Sequence, residues 1–276
     1  MKLSHQMPLI QVEVPTAGFL EDKSILDQYN ARVKEVYNDN KHLKILTFND
    51  GLVKGSNTFS IILMNKILNE QGSRVARQSD LERLIKINPD YLKGTFEDNG
   101  VVLRSGEDPN SYLAQDLIKW LKHRSGKKVK LPVMIPLTEL YLENDQNSNY
   151  GLSFKLKEGA NVIYTPVLNE KTGKFSSENV DEKTGLPNKL GSGDRTFYTR
   201  DSGLSGLCLY WDLGLYSNGD DLGYSDSVGR VVVVSGEATQ KNLDQYVKRL
   251  EAEKDRQTKA IEIRYKKALS TLQKTN

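Results

Sequence analysis

Cysteine is almost absent from the chain: Cys208 stands alone among 276 residues. A disulfide framework within the chain and a CxxC redox pair are thereby excluded, and a reducing compartment suits the composition. Histidine is nearly as scarce, and His5, His42 and His123 have neither the number nor the spacing of a metal centre. Long apolar runs are missing as well. Nothing approaches the roughly 18 consecutive apolar residues of a spanning helix, and the opening MKLSHQMPLIQVEVPTAG is broken by polar residues and two prolines, which leaves no secretory apolar core. No membrane span and a cytoplasmic location are therefore expected. Also missing are a Walker loop, GxGxxG, HExxH, GxSxG and the EF-hand order of calcium ligands. The sequence thus names no catalytic residue, no metal ligand and no cofactor.

What is present describes a globular protein: 37% hydrophobic and 27% charged residues over a length that fills one large domain or two ordinary ones. The net charge of +3 is unevenly spread. Residues 241–274 hold ten Lys/Arg against five Asp/Glu, so the rest of the chain is near −2. Charges of both signs interspersed along a helix usually mark a solvated face, so nucleic acid is not the expected partner, although a basic helix that contacts it remains an alternative.

Spacing of apolar residues predicts a helix over 21–38 (Ile25, Leu26, Tyr29, Val33, Val36), a short strand over 42–48 ending at Asn49-Asp50-Gly51, and a buried helix over 59–68. Ser79 or Asp80 is expected to cap a helix that Asn88-Pro89 stops, and Glu107-Asp108-Pro109-Asn110 to introduce a helix over 112–122. Strands are expected at 100–103, 129–142, 151–156 and 161–168, with loops at 143–150 and 169–193. Val231 to Val234 reads as a strand buried on both faces, and 242–273 as one long helix whose seam of Val247, Leu250, Ile261, Ala268 and Leu272 is interrupted by Lys254, Gln257 and Arg264. The expected class is α+β. Three divisions are expected: residues 1–70 and residues 71–239 within one domain, the second stretch being its ligand-binding part, and residues 240–276 as a basic C-terminal helix that either serves a homo-oligomer or packs on the core of its own chain.

The most informative stretch is LSGLCLYWDLGLYSNGDDLGYSDSVGR, residues 204–230. Leucine recurs at 204, 207, 209, 213, 215 and 222 as packing residues, while the positions between use Tyr, Trp, Ser, Gly, Asn and Asp, the vocabulary of binding loops that combine rigid aromatic area with adaptable hydrogen bonding. With the Gly229-Arg230 strand next to it, the stretch resembles the variable region of proteins diversified by retroelements, of the archaeal type. The segment from Arg74 through Arg77-Gln78-Ser79-Asp80-Leu81-Glu82 also resembles the helix start of their lectin-like superfamily. The resemblance implies a C-type-lectin-like domain, related to the formylglycine-generating-enzyme fold, in which adenine mutagenesis varies the residues between constant hydrophobic positions. It implies a binding site made of Gly206, Cys208, Tyr210, Trp211, Gly214, Tyr216, Ser217, Asn218, Gly219, Asp220, Asp221, Gly223, Tyr224, Asp226 and Val228, with an unknown protein as ligand. In that family the variable stretch lies near the C-terminus, whereas here about forty residues come after it. The alternatives are an ordinary polar surface loop, or a hydrolase-like enzyme with a cleft beside the 143–150 loop.

Overall fold

The structure, a computed structural model, describes residues 16–125 and 129–235, together with Lys254, Arg256, Thr258, Lys259, Ile261, Glu262 and Tyr265. Residues 17–235 form one compact unit; 1–16 and 236–276 group as a second. The second unit's few described tail residues are helical. The rest of the tail expected as a helix over 242–273, including Val247, Leu250, Ala268 and Leu272, lies outside the described residues.

The chain runs through β1 (Thr16–Phe19), α1 (Lys23–Tyr37), the hairpin β2 (Thr47–Asn49) and β3 (Leu52–Lys54), α2 (Thr58–Glu70), β4 (Arg74–Val75) and α3 (Gln78–Ile87). It continues through β5 (Glu97–Leu103), α4 (Ser111–Ser125), β6 (Val133–Pro136), β7 (Leu140–Asn144) and β8 (Leu152–Leu156). Last come β9 (Gly173–Phe175), β10 (Arg195–Tyr198), β11 (Leu204–Leu209), β12 (Leu215–Tyr216) and β13 (Val232–Ser235). Helices and sheets are mixed as an α+β protein requires. The main sheet has the order β6-β5-β11-β12-β10-β9, and smaller sheets pair β1-β13-β4, β2-β3 and β7-β8.

Period-2 alternation gives the main sheet two apolar faces. Val101, Leu103, Val133, Ile135 and Leu204 join one core with α1, α2, α4, β7 and β8. Val102, Met134, Phe197, Leu207, Leu209 and Leu215 join another with Leu81 and Ile85 of α3, Phe175 and Val232. α1 begins where the Asp22 side chain accepts from the Ser24 amide at 2.8 Å. It buries Ile25, Leu26, Tyr29 and Val33 as expected, but Tyr37 rather than Val36 completes the stripe, because steps of four from Tyr29 lead to 33 and then 37.

Elsewhere expectation and structure part. The strand expected over 42–48 is turn up to Ile45, and only β2 pairs with β3 across the Asp50-Gly51 turn, where both residues have positive φ. Helix α3 is capped not by Ser79 or Asp80 but at Arg77, whose amide donates back to the Asp80 carboxylate at 2.8 Å. Residues 161–168 contain a single bridge at Ile163 and a 3-10 turn, Pro166–Asn169, rather than a strand. The polar 169–193 segment supplies the edge strand β9. Val231, Val232 and Val234 are buried, whereas Val233 is half-buried.

One buried ion pair spans the second core. Arg195 of β10 meets Glu82 of α3 through two parallel contacts of 2.6 and 2.7 Å, with both side chains at most 5% exposed. Its Nε donates to the Leu213 carbonyl at 2.6 Å and its guanidinium lies 4.7 Å from the Phe175 ring centroid. Breaking such a pair strands a buried charge. Replacing Arg195 or Glu82 alone by Ala is expected to cost about 3–5 kcal/mol, and the Arg195→Met, Glu82→Leu double variant less than the two losses combined. Denaturant unfolding of the three variants checks this.

Candidate functional site

A cavity of about 270 Å³ opens where the first face of the main sheet runs past the N-terminus of α2. Along β11 that face carries Leu204, then Gly206 and Cys208, with Tyr210 next in line. Leu204 is still covered by the helices, but the next three positions border open space. At Gly206 a Cβ would make ordinary contact with Thr58 Oγ1 at 3.5 Å, so a small side chain fits there. On β5 the register shifts, so that Leu207 pairs with Gly100 but Cys208 pairs with Asp98. The extra residue, Asn99, makes a bulge that brings Asp98 to the cavity beside Cys208. The remaining wall is aromatic. Ring centroids of Phe96 lie 6.1 Å from Tyr210 and 6.4 Å from Tyr224, and Tyr210 lies 4.5 Å from Tyr216, itself stacked at 4.2 Å on Tyr198. Asn218, Gly219, Asp220 and Asp221 complete the rim.

The rim loop is held by its backbone. Asn110 Nδ2 donates to the carbonyls of Leu204 and Asp220 at 2.8 and 2.7 Å. Arg104 donates to the Ser217 carbonyl at 3.2 Å, Arg200 to that of Asn218 at 2.9 Å, and Asn57 to that of Gly223 at 3.0 Å. The Tyr150 hydroxyl accepts from the Leu222 amide at 3.2 Å. Asn57 also caps α2, accepting from the Ser60 amide at 2.8 Å, so the helix start and the loop share one anchor.

Of the fifteen residues expected in the site, Gly206, Cys208, Tyr210, Tyr216, Asn218, Gly219, Asp220, Asp221 and Tyr224 line the cavity. Trp211 stands beside it, 55% exposed and 6.2 Å from the Tyr210 ring. Five others do not line it. Ser217 is fully buried, and its Oγ receives Arg104 at 2.7 Å and donates to the Tyr198 carbonyl at 3.1 Å, so it belongs to the framework. Gly214 and Gly223 are spacers, because a Cβ would meet Asp212 at 2.9 Å and the His42 ring at 2.4 Å respectively. Asp226 closes its own turn by accepting from the Val228 amide at 3.2 Å, and Val228 receives the Phe96 amide on its carbonyl. All six leucines between 204 and 222 are buried.

Thr58, Phe96 and Asp98 line the cavity without any sequence signal pointing to them. The polar triplet Glu97-Asp98-Asn99 looks like a turn before the strand at 100–103; the only hint against that is the unbroken run into Val101-Val102-Leu103. In the structure Glu97 and Asn99 are at most 2% exposed within β5.

Burial dominates the electrostatics here. It raises the Glu97 carboxyl to about 8, against a hydrogen bond from Thr95 that favours ionisation and the nearby Asp98 charge that opposes it. It raises Asp98 to about 7, opposed by the 3.0 Å hydrogen bond from Ser56. It also pushes the Cys208 thiol well up, and the two carboxylates push further in the same direction. A thiol so placed is held protonated, the reverse of what a nucleophilic cysteine needs. Among the described residues no group of three His, Cys, Asp or Glu side chains is arranged to hold a metal ion, and no helix is long and apolar enough to cross a membrane.

No protein-family model, curated protein or solved structure matches the chain.

The two carboxyls set a pH dependence. The folded chain retains their protons between the ordinary values of 4.5 and 3.8 and the raised values of about 8 and about 7, so over that window it binds more protons than the unfolded chain. Their contribution to stability is therefore present in acid and is lost as pH rises through the folded values. Glu97→Gln is expected to flatten the fall in stability between pH 5 and 8 by up to one proton's worth, about 1.4 kcal/mol per pH unit. Urea midpoints across that range measure it; parallel curves for variant and parent would refute the raised Glu97.

Proposed function

We propose that the chain is a non-catalytic binding protein that presents residues 204–230 as a replaceable ligand-binding surface, in the manner of the retroelement-diversified variable proteins it resembles, on a C-type-lectin-like scaffold. A protein is the proposed ligand. The observation that carries this reading is the division of labour within the stretch. Its leucines are buried, while most of the residues between them border one cavity or solvent. The scaffold grips the rim loop through the carbonyls of Ser217, Asn218, Asp220 and Gly223 and the amide of Leu222, atoms that every replacement side chain would leave in place. Rigid aromatic rings next to small polar residues also suit selective contact with a partner. A cysteine nucleophile in this cavity is disfavoured by the raised thiol of Cys208 and by the lack of a histidine or lysine among the described lining residues.

Two measurements test the proposal. In a scan of variants, changes at Trp211, Asn218, Gly219 and Asp220 are expected to shift stability by no more than about 0.5 kcal/mol. Truncating Leu209, Leu213 or Leu215 to Ala is expected to cost about 2–5 kcal/mol. Equal sensitivity of the two classes would reject a display surface. In the genome, a near-repeat of the coding sequence for 204–230, differing at template adenines and lying beside a reverse-transcriptase gene, is the expected mark of diversification.

A further inference from the structure

Carboxylates elsewhere in the interior are matched by arginine: Asp80 contacts Arg74 at 2.6 Å, and Glu82 holds Arg195 from two sides. Beside the cavity that rule lapses. Neither Glu97 nor Asp98 has a salt bridge among the described residues, and the only described side chain that hydrogen-bonds Asp98 is Ser56. Arg230, which borders a separate void of about 10 Å³ together with both carboxyls, donates instead to the Ser227 and Gly229 carbonyls at 2.9 and 2.8 Å. Among the described residues no lysine or arginine lines the large cavity, whereas three carboxyl groups and four aromatic rings do.

That lining selects by charge. An aromatic face carries negative electrostatic potential and attracts ammonium and guanidinium groups, more strongly in a site shielded from water. Asp98 offers a carboxyl oxygen at the floor, which a bound cation would draw into its ionised form, and Asp220 and Asp221 add negative potential at the mouth, so an anion would meet repulsion at the entrance. A bare metal ion is not the natural occupant, since the described carboxyls do not converge as a ligand set. The volume of about 270 Å³ falls just short of the roughly 300–1,000 Å³ of small-molecule sites, which suits a single group of side-chain size.

We infer that this cavity binds an organic cation, an alkylammonium or a guanidinium, between the rings of Phe96, Tyr210, Tyr216 and Tyr224 with its charge directed to Asp98. The inference rests on the reading of 204–230 as a ligand-binding surface and gives that surface a chemical preference. The cation arrives either as a free amine or as a lysine or arginine side chain of a protein.

Calorimetric titration of the full chain tests it with four probes: butylguanidinium, butylammonium, butanol and butyrate. Both cations are expected to bind at millimolar concentration or below, and butanol and butyrate not to. Asp98→Asn and Phe96→Leu are expected to weaken cation binding by about tenfold or more, the loss of one charge-assisted contact or of one ring. Thermal unfolding of each variant confirms that it folds, and Asp98→Asn keeps the size of the side chain while removing its capacity to carry the countercharge. Binding of capped tripeptides with a central lysine or arginine as tightly as the free cations assigns the site to a protein side chain. Binding of the free cations alone assigns it to an amine. If butanol or butyrate binds as well as the cations, or if Asp98→Asn leaves cation affinity unchanged, the inference falls while the display reading stands. If no probe binds, the inference likewise falls, and the display reading is then decided by the stability scan.

Discussion

The cavity depends on the pair formed by Arg195 and Glu82. Arg195 fixes the Leu213 carbonyl, and Leu213 is the residue with positive φ at which the chain turns from β11 into β12. A left-handed backbone at leucine is costly and persists only where its surroundings dictate it. Glu82 in turn accepts from Gln78 at 2.7 Å, and Gln78 accepts from Asn99 at 2.7 Å. Asn99 is the extra residue of the β5 bulge that sets Asp98 beside Cys208. A single chain of buried polar contacts thus reaches from the turn that presents Tyr210 and Tyr216 to the bulge that presents Asp98. Such a network rigidifies when fully satisfied. Here the Asn99 Oδ1 and one Glu97 oxygen lack partners among the described residues, so its weakest links lie at the cavity end.

Side chains and backbone have separate duties around the rim. Framework residues from distant parts of the sequence, among them Asn57, Arg104, Asn110 and Tyr150, face main-chain atoms of the loop. The aromatic residues that line the cavity contact mainly each other. Stability and recognition are thereby placed on different atoms, which is why the display reading and the cation preference are separable proposals.

Much of the architecture is legible in the sequence because its cause is local. Helix α1, helix α2 and the six leucines of 204–222 follow from apolar spacing alone, and the Asp50-Gly51 turn from residues that accept positive φ. The rest is set by partners far away. Asp80 is the exception, a local case misplaced by three positions: its carboxylate serves the Arg77 amide and Arg74, so it completes the cap from N3 rather than forming the N-cap itself. Asp98 escapes notice because its place depends on a bulge against β11, more than a hundred residues on. Ser217 reads as a surface residue because its partner, Arg104, is 113 residues away. Polar composition makes 169–193 look like loop, although pairing with β10 makes part of it strand.

The anchors along the rim fall at set positions: Arg104 at 217, Arg200 at 218, Asn110 at 220, Tyr150 at 222 and Asn57 at 223. Each meets a main-chain atom at its position, and each is itself rooted in a helix, a strand or a packed loop. Inserting or deleting one residue would carry every later carbonyl past its donor and turn Leu222 out of its pocket. Positions 218–221 of the loop therefore have a free alphabet within a fixed length, and its history should be written in substitutions there, with gaps confined to segments that no distant side chain counts.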